Sequence, residues 1–144
     1  MTLSGPTIGR APSVVLDTNI VLDVFVFADE AAQSVRDALG DGTLDWVATS
    51  AMRSELERVL GYPQIVPRLA FYELSAADVL ARFDAHARMV EAPARASVRC
   101  SDEDDQIFID LAVAQRSTLL SKDKAVISMA RRLSALGVQA RRAL

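Results

Sequence analysis

The chain has 144 residues, 51% of them hydrophobic and 24% charged, a balance that suits a folded globular protein and excludes a disordered one. That length fits a single domain with a sizeable core, and one cysteine, Cys100, excludes an internal disulfide and fits a reducing compartment. No apolar run reaches the roughly 18 residues that a membrane span needs, and the opening MTLSGPTIGRAP holds no signal-peptide core, so the expectation is a cytoplasmic protein without a membrane partner.

The net charge of −3 argues against general affinity for nucleic acid, but the charges are unevenly placed. Asp102 to Asp110 contains five acids and no base, whereas Arg116 to Leu144 contains seven bases and one acid, Asp123. The plain alternative for such runs is a pair of solvated helix faces.

In chain order, residues 1–12, rich in Gly, Pro, Ser and Thr, read as a flexible leader before one domain over 13–144. Ser13–Leu16 (SVVL) is a short, continuously apolar strand of the kind buried on both faces of a parallel sheet. An amphipathic region follows to about Leu39, closed by Gly40 and Gly42. Leu44–Ala48 is a second strand. Thr49 or Ser50 caps a helix that runs to Leu60 and stops at Gly61. Ser75 and Asp78 form a capping box for a helix to about Val90. Ser97–Cys100 is a candidate strand, and a helix covers about Asp102 to Gln115. Ser117–Ser121 is a strand, Lys124–Leu136 a helix stopped by Gly137, and Val138–Ala140 a last strand. Strands alternating with helices predict an α/β protein with a parallel sheet, whose ligands bind beyond the carboxyl ends of the strands.

Asp17 and Asp123 fall at or just after the carboxyl ends of two apolar strands. If those strands are neighbours, both carboxylates enter one crevice, where a divalent cation relieves their repulsion and hard oxygen ligands favour Mg²⁺ or Mn²⁺. On its helix, Glu55 lies about 40° from Val59, at the edge of the stripe made by Met52, Leu56, Val59 and Leu60, whereas Ser54 and Glu57 face away. In the helix after Asp102, Phe108, Leu111 and Ala112 form the inner stripe. Asp104 and Asp105 flank it one turn earlier, and Asp110 points outward. The helix dipole alone favours one or two acids in a first turn, but four in a row repel one another.

The segment VVLDTNIVLD resembles the opening motif of the PIN-domain nucleases, and SAMRSELERVL, CSDEDDQIFIDLA and LLSKDK match that family's later motifs in order. The resemblance covers about Ser13 to Ala140 and is nearest to the VapC-like toxin components of toxin–antitoxin systems. It implies a PIN-like three-layer α/β/α sandwich with a short, mainly parallel central sheet. It also implies metal-dependent cleavage of RNA by one or two Mg²⁺ or Mn²⁺ ions. Position by position, it places the family's acids on Asp17, Glu55, Asp105 and Asp123, with Thr18, Asn19 and Ser121 as the polar neighbours. Asp102 and Asp104 are outer candidates. Glu103 and Gln106 stand where this branch often has a proline and a further acid, so Asp102, Asp104 and Asp105 all stay open as direct ligands. The toxin branch further implies an antitoxin partner. The short chain after the last strand leaves a sheet edge that a second copy could cover.

Lys122, Lys124, Arg131 and Arg132 are the candidate RNA-binding residues: the two lysines flank Asp123 and the arginines follow on the same helix. No other catalytic apparatus stands out. His86 lies with Val79, Phe83 and Val90 on one helical stripe and reads as packed or interfacial. Cys100 and Trp46 read as core residues. Two alternatives compete with the nuclease. VVLDTN is also similar to the first motif of haloacid-dehalogenase phosphatases, but those need an acid where Asn19 stands. The other is a PIN-like module that binds RNA or protein without cutting.

Overall fold

The computed structural model describes residues 12–144, so the expected leader lies almost entirely outside the described residues. Five strands form one all-parallel sheet: β1 (Ser13–Leu16), β2 (Asp45–Ala48), β3 (Arg88–Met89), β4 (Thr118–Leu120) and β5 (Ala140–Arg141), in the order β3-β2-β1-β4-β5. The central strand β1 pairs Val14 with Thr118 and Leu16 with Leu120 on one side, and Ser13 with Asp45 on the other. Val14, Val15, Leu16, Trp46, Val47, Ala48, Leu119 and Leu120 are all buried, as expected for a sheet covered on both faces. The order reverses between β1 and β4, and a ligand crevice forms outside the strand ends at such a switch point.

The predicted amphipathic region to Leu39 is two helices. Helix α1 (Thr18–Phe25) is C-capped by Val26, and the chain then turns at Ala28, which adopts a positive φ of 49°. Asp29 then caps a short 3₁₀ turn that leads into α2 (Gln33–Asp41), and Gly42 closes α2 at a φ of +73°. Helix α3 (Ser50–Leu60) runs between Thr49 and Gly61 as its pattern requires. Helix α4 (Val66–Phe71) has no counterpart in the sequence reading. It is short, carries a proline at its second position, and is held inward by Leu69.

Helix α5 (Ala76–His86) starts at the expected capping box, with Ser75 and Asp78 bonded reciprocally. It stops four residues early. Arg88 makes a two-point ion pair with Asp45 (2.9 and 2.7 Å), and Val90 donates to the Ala48 carbonyl at 2.9 Å, which draws the chain into the sheet as edge strand β3. Phe83 packs edge-on against Trp46 with ring centroids 4.8 Å apart, and His86, itself exposed, leans on Phe25. Trp46 and Cys100 are buried core residues.

Ser97–Cys100 is not a strand. Its backbone is tied to side chains of α6 (Gln106–Gln115): Cys100 N–H donates to Gln106 Oε1 at 2.7 Å, and Gln106 Nε2 donates to the Val98 carbonyl at 3.1 Å. The same clamp overturns the outward placement of Asp110. Asp110 is 9% exposed and accepts from Ala96 N–H (2.9 Å) and Gln106 Nε2 (2.8 Å). The loop covers the side of α6 that the helical-stripe argument leaves to solvent. A 3₁₀ turn over Glu103–Asp105 precedes α6. The predicted helix over Lys124–Leu136 is broken into α7 (Lys124–Ile127) and α8 (Ala130–Ser134), and Gly137 turns at a φ of +82°. No helix among the described residues is long and apolar enough to cross a membrane.

Asp110→Ala strips one buried and one half-buried donor of their acceptor, which costs about 1–3 kcal/mol. We expect urea denaturation to show a loss of that size; an unchanged midpoint would mean that the loop is not held by this clamp.

Candidate functional site

Strands β1 and β4 are immediate neighbours, so their carboxyl ends open onto one spot. Asp17 is the first residue beyond β1 and the N-cap of α1; its N–H donates to the Leu120 carbonyl at 3.0 Å. Beyond β4, the fully buried Ser121 donates to Asp17 Oδ2 at 2.6 Å and accepts from Asp123 N–H at 3.0 Å. Asp123 caps α7 by accepting from Ala125 N–H at 2.9 Å, which fixes its carboxylate. Asp105 enters from the 3₁₀ turn that leads into α6, whose helix packs on β1.

The ligand atoms of Asp17, Asp105 and Asp123 all lie within 4.8 Å of one another. Asp17 is 4% and Asp105 7% exposed. Burial raises the Asp17 pKa and the Asp123 charge adds to the rise, against the Ser121 hydrogen bond and the amides of Thr18 and Asn19 that favour the carboxylate. The Asp105 pKa is pushed up to about 8, first by burial, then by the Asp123 carboxylate beside it and the Asp17 charge. Among the described residues, Asp105 Oδ2 is buried with no hydrogen-bond partner. An orphaned buried oxygen among crowded hard-oxygen donors fits a divalent cation such as Mg²⁺ or Mn²⁺.

Glu55 stands apart from this trio. Its side chain is 16% exposed, accepts a hydrogen bond from the Thr18 hydroxyl and lies 3.9 Å from Arg58. Burial raises its pKa, and the charges of Asp17 and Asp104 add to the rise. Asp102 and Asp104 are exposed; Asp102 caps the 3₁₀ turn through Asp104 N–H at 3.0 Å. Asn19 is exposed beside the cluster. Lys122 is not a free cation: it pairs with the buried Asp23 at 2.5 Å. Lys124, Arg131 and Arg132 are exposed, the arginines on a helix separate from that of Lys124.

The sequence reading missed Asp23 and Arg58. Asp23 escaped because its only signal was one charge in an apolar helix, TNIVLDVF. Arg58 could have been found from its position one turn beyond Glu55 on α3. Burial also pushes the Cys100 thiol up, which suits a core residue and not a nucleophile.

No curated protein matches this chain. Among solved structures, it is similar to one described as the crystal structure of VapBC2 from Rickettsia felis bound to a DNA fragment from their promoter. The identity is 13%, 89% of this chain and 98% of that chain are covered, and the TM-score is 0.59. The similarity carries the architecture of a parallel sheet flanked by helices. The family model for the PIN domain matches residues 13–125, which takes in the three clustered acids: the chain belongs to the PIN domain family.

Proposed function

We infer that this protein is a metal-dependent ribonuclease that hydrolyses RNA phosphodiester bonds and acts as the toxin of a toxin–antitoxin pair. One observation carries the reading: three acids from distant segments converge, with a buried oxygen left without a partner, inside the stretch that the PIN domain family model matches. The solved relative titled as VapBC2 supports the toxin context and an antitoxin partner.

Asp17, Asp105 and Asp123 would hold Mg²⁺ or Mn²⁺. When bound, such an ion supplies an acidified water and neutralises charge on a phosphate. Ser121 fixes the Asp17 carboxylate, and the α7 amide of Ala125 fixes that of Asp123, so neither has to be ordered when substrate arrives. Glu55, tethered by Thr18, would bind the ion directly or through a water. Water as the nucleophile leaves 5′-phosphate and 3′-hydroxyl ends and makes no demand on the 2′-hydroxyl.

The purified protein is expected to cleave single-stranded RNA, to stop when a chelator is added, and to recover with Mn²⁺ or Mg²⁺. Asp17→Asn should abolish cleavage while the circular dichroism spectrum stays native; an active variant would sink the mechanism. Ser121→Ala, which loses only the orienting hydroxyl, should cost roughly 10–100-fold, read from initial rates.

The raised Asp105 pKa also sets a pH dependence. The folded protein without metal holds a proton between the ordinary carboxylate value of 3.8 and about 8 that the unfolded chain has released. Stability is therefore fullest below pH 3.8 for this group and declines as pH rises through about 8. Thermal melts in chelator should show Tm falling across that window. Added Mn²⁺ should restore Tm far more at the alkaline end, and Asp105→Asn should flatten both responses. A metal-free Tm that rises with pH, in a protein whose Asp105→Asn variant melts identically, would exclude this origin.

A further inference from the structure

Beside the acidic centre lies a second, chemically different cleft of about 300 Å³, lined by Asn19, Asp23, Phe27, Asp29, Arg68 and Lys122. It shares its wall with the centre, since Asn19 is two residues beyond Asp17 and Lys122 sits between Ser121 and Asp123. Three observations describe what it can hold. The Arg68 guanidinium carbon lies 3.6 Å from the centroid of the Phe27 ring, and Tyr72 backs that ring at 6.3 Å, so a cation is held in place by aromatic surface. Among the described residues Arg68 has no carboxylate partner, so its donors are uncommitted. Asp29 is exposed; one oxygen accepts from Ala31 N–H at 2.8 Å, which fixes the carboxylate and leaves it acceptor capacity.

A phosphate would need donors only, and Asp29 would repel it. An apolar ligand would leave the guanidinium and the carboxylate unsatisfied. A planar group with adjacent donors on one edge and adjacent acceptors on another satisfies both. Among nucleobases guanine has that pattern: N1–H and the exocyclic amine face a carboxylate, while O6 and N7 face a guanidinium. Single-stranded RNA is read in this way, by bases splayed out onto aromatic rings or arginine planes and bonded along their edges. Lys122, neutralised by Asp23, closes the cleft without drawing the backbone phosphate into it.

We propose that this cleft is a specificity subsite that takes one unpaired guanine base next to the scissile phosphate, with Phe27 holding the Arg68 guanidinium in place and Asp29 and Arg68 as the edge readers. The proposal rests on the ribonuclease reading for its substrate, but binding can be tested apart from cleavage. The full-length Asp17→Asn protein is titrated with fluorescein-labelled pentaribonucleotides of uracil that carry guanine, adenine, cytosine or uracil at the centre, and anisotropy is read. The guanine oligomer should bind roughly tenfold or more tighter than the other three. Arg68→Lys and Asp29→Asn, which keep a cation and a helix cap respectively, should bring that ratio toward one, with circular dichroism unchanged. Equal affinity for all four oligomers would overturn the subsite. So would an equal loss for all four in Arg68→Lys, which would mark a phosphate contact. In parallel, the ends left by the wild-type protein on a random RNA pool are sequenced. Cleavage with no base preference would overturn the subsite and leave the nuclease standing. Guanine-selective binding without any cleavage would support the subsite and remove the nuclease.

Discussion

Across the seam between β1 and β4, Leu16 lies opposite Leu120 and the Asp17 amide donates to the Leu120 carbonyl. That one register decides where every nearby acid goes. It sets Asp17 against Ser121, and Ser121 in turn holds the Asp123 amide. A slip of one residue would turn Asp17 toward the opposite face. The seam must also withstand what it creates, because carboxylates crowded within 4.8 Å in a buried spot repel. It can do so because β1 and β4 are buried almost completely and flanked by helices on a sheet of only five short strands.

The legible parts of this fold were those where a local signal and the tertiary demand agreed. The apolar tetrad SVVL, the capping box at Ser75 and the glycine stop at Gly61 each specify an element without help from distant residues. The illegible parts were those settled by partners far along the chain. Nothing near Ser97–Cys100 says that its amides will be taken up by Gln106 and Asp110. Nothing near Val90 says that Arg88 will meet Asp45 and end a helix. The strand ends were enough to bring Asp17 and Asp123 to one crevice, because a carboxylate at the end of a buried strand has few places to go, whereas the helix face left Asp104 and Asp105 level. Asp110 was misplaced by the same face argument, since α6 is covered on a side that the argument assumed to be wet.

The charge pattern also reads differently in three dimensions. The basic C-terminal segment does not simply surround the acids. One of its lysines is spent on Asp23, and the cation beside Glu55 comes from elsewhere, Arg58 of α3. A chain of net charge −3 can thus present a strongly acidic point within a mixed rim. That arrangement allows close approach of a polyanion only along particular directions.

The order of the acids along the chain has a temporal meaning. Asp17 is synthesised early, but the Ser121 that orients it and the Asp123 beside it come more than a hundred residues later. Until β4 has left the ribosome, β1 lacks its neighbour and the three carboxylates cannot converge. A chain cut short before Asp123 would lack one of the three clustered acids. On the proposed ribonuclease reading, that delay separates the act of being translated from the capacity to damage the machinery that translates it.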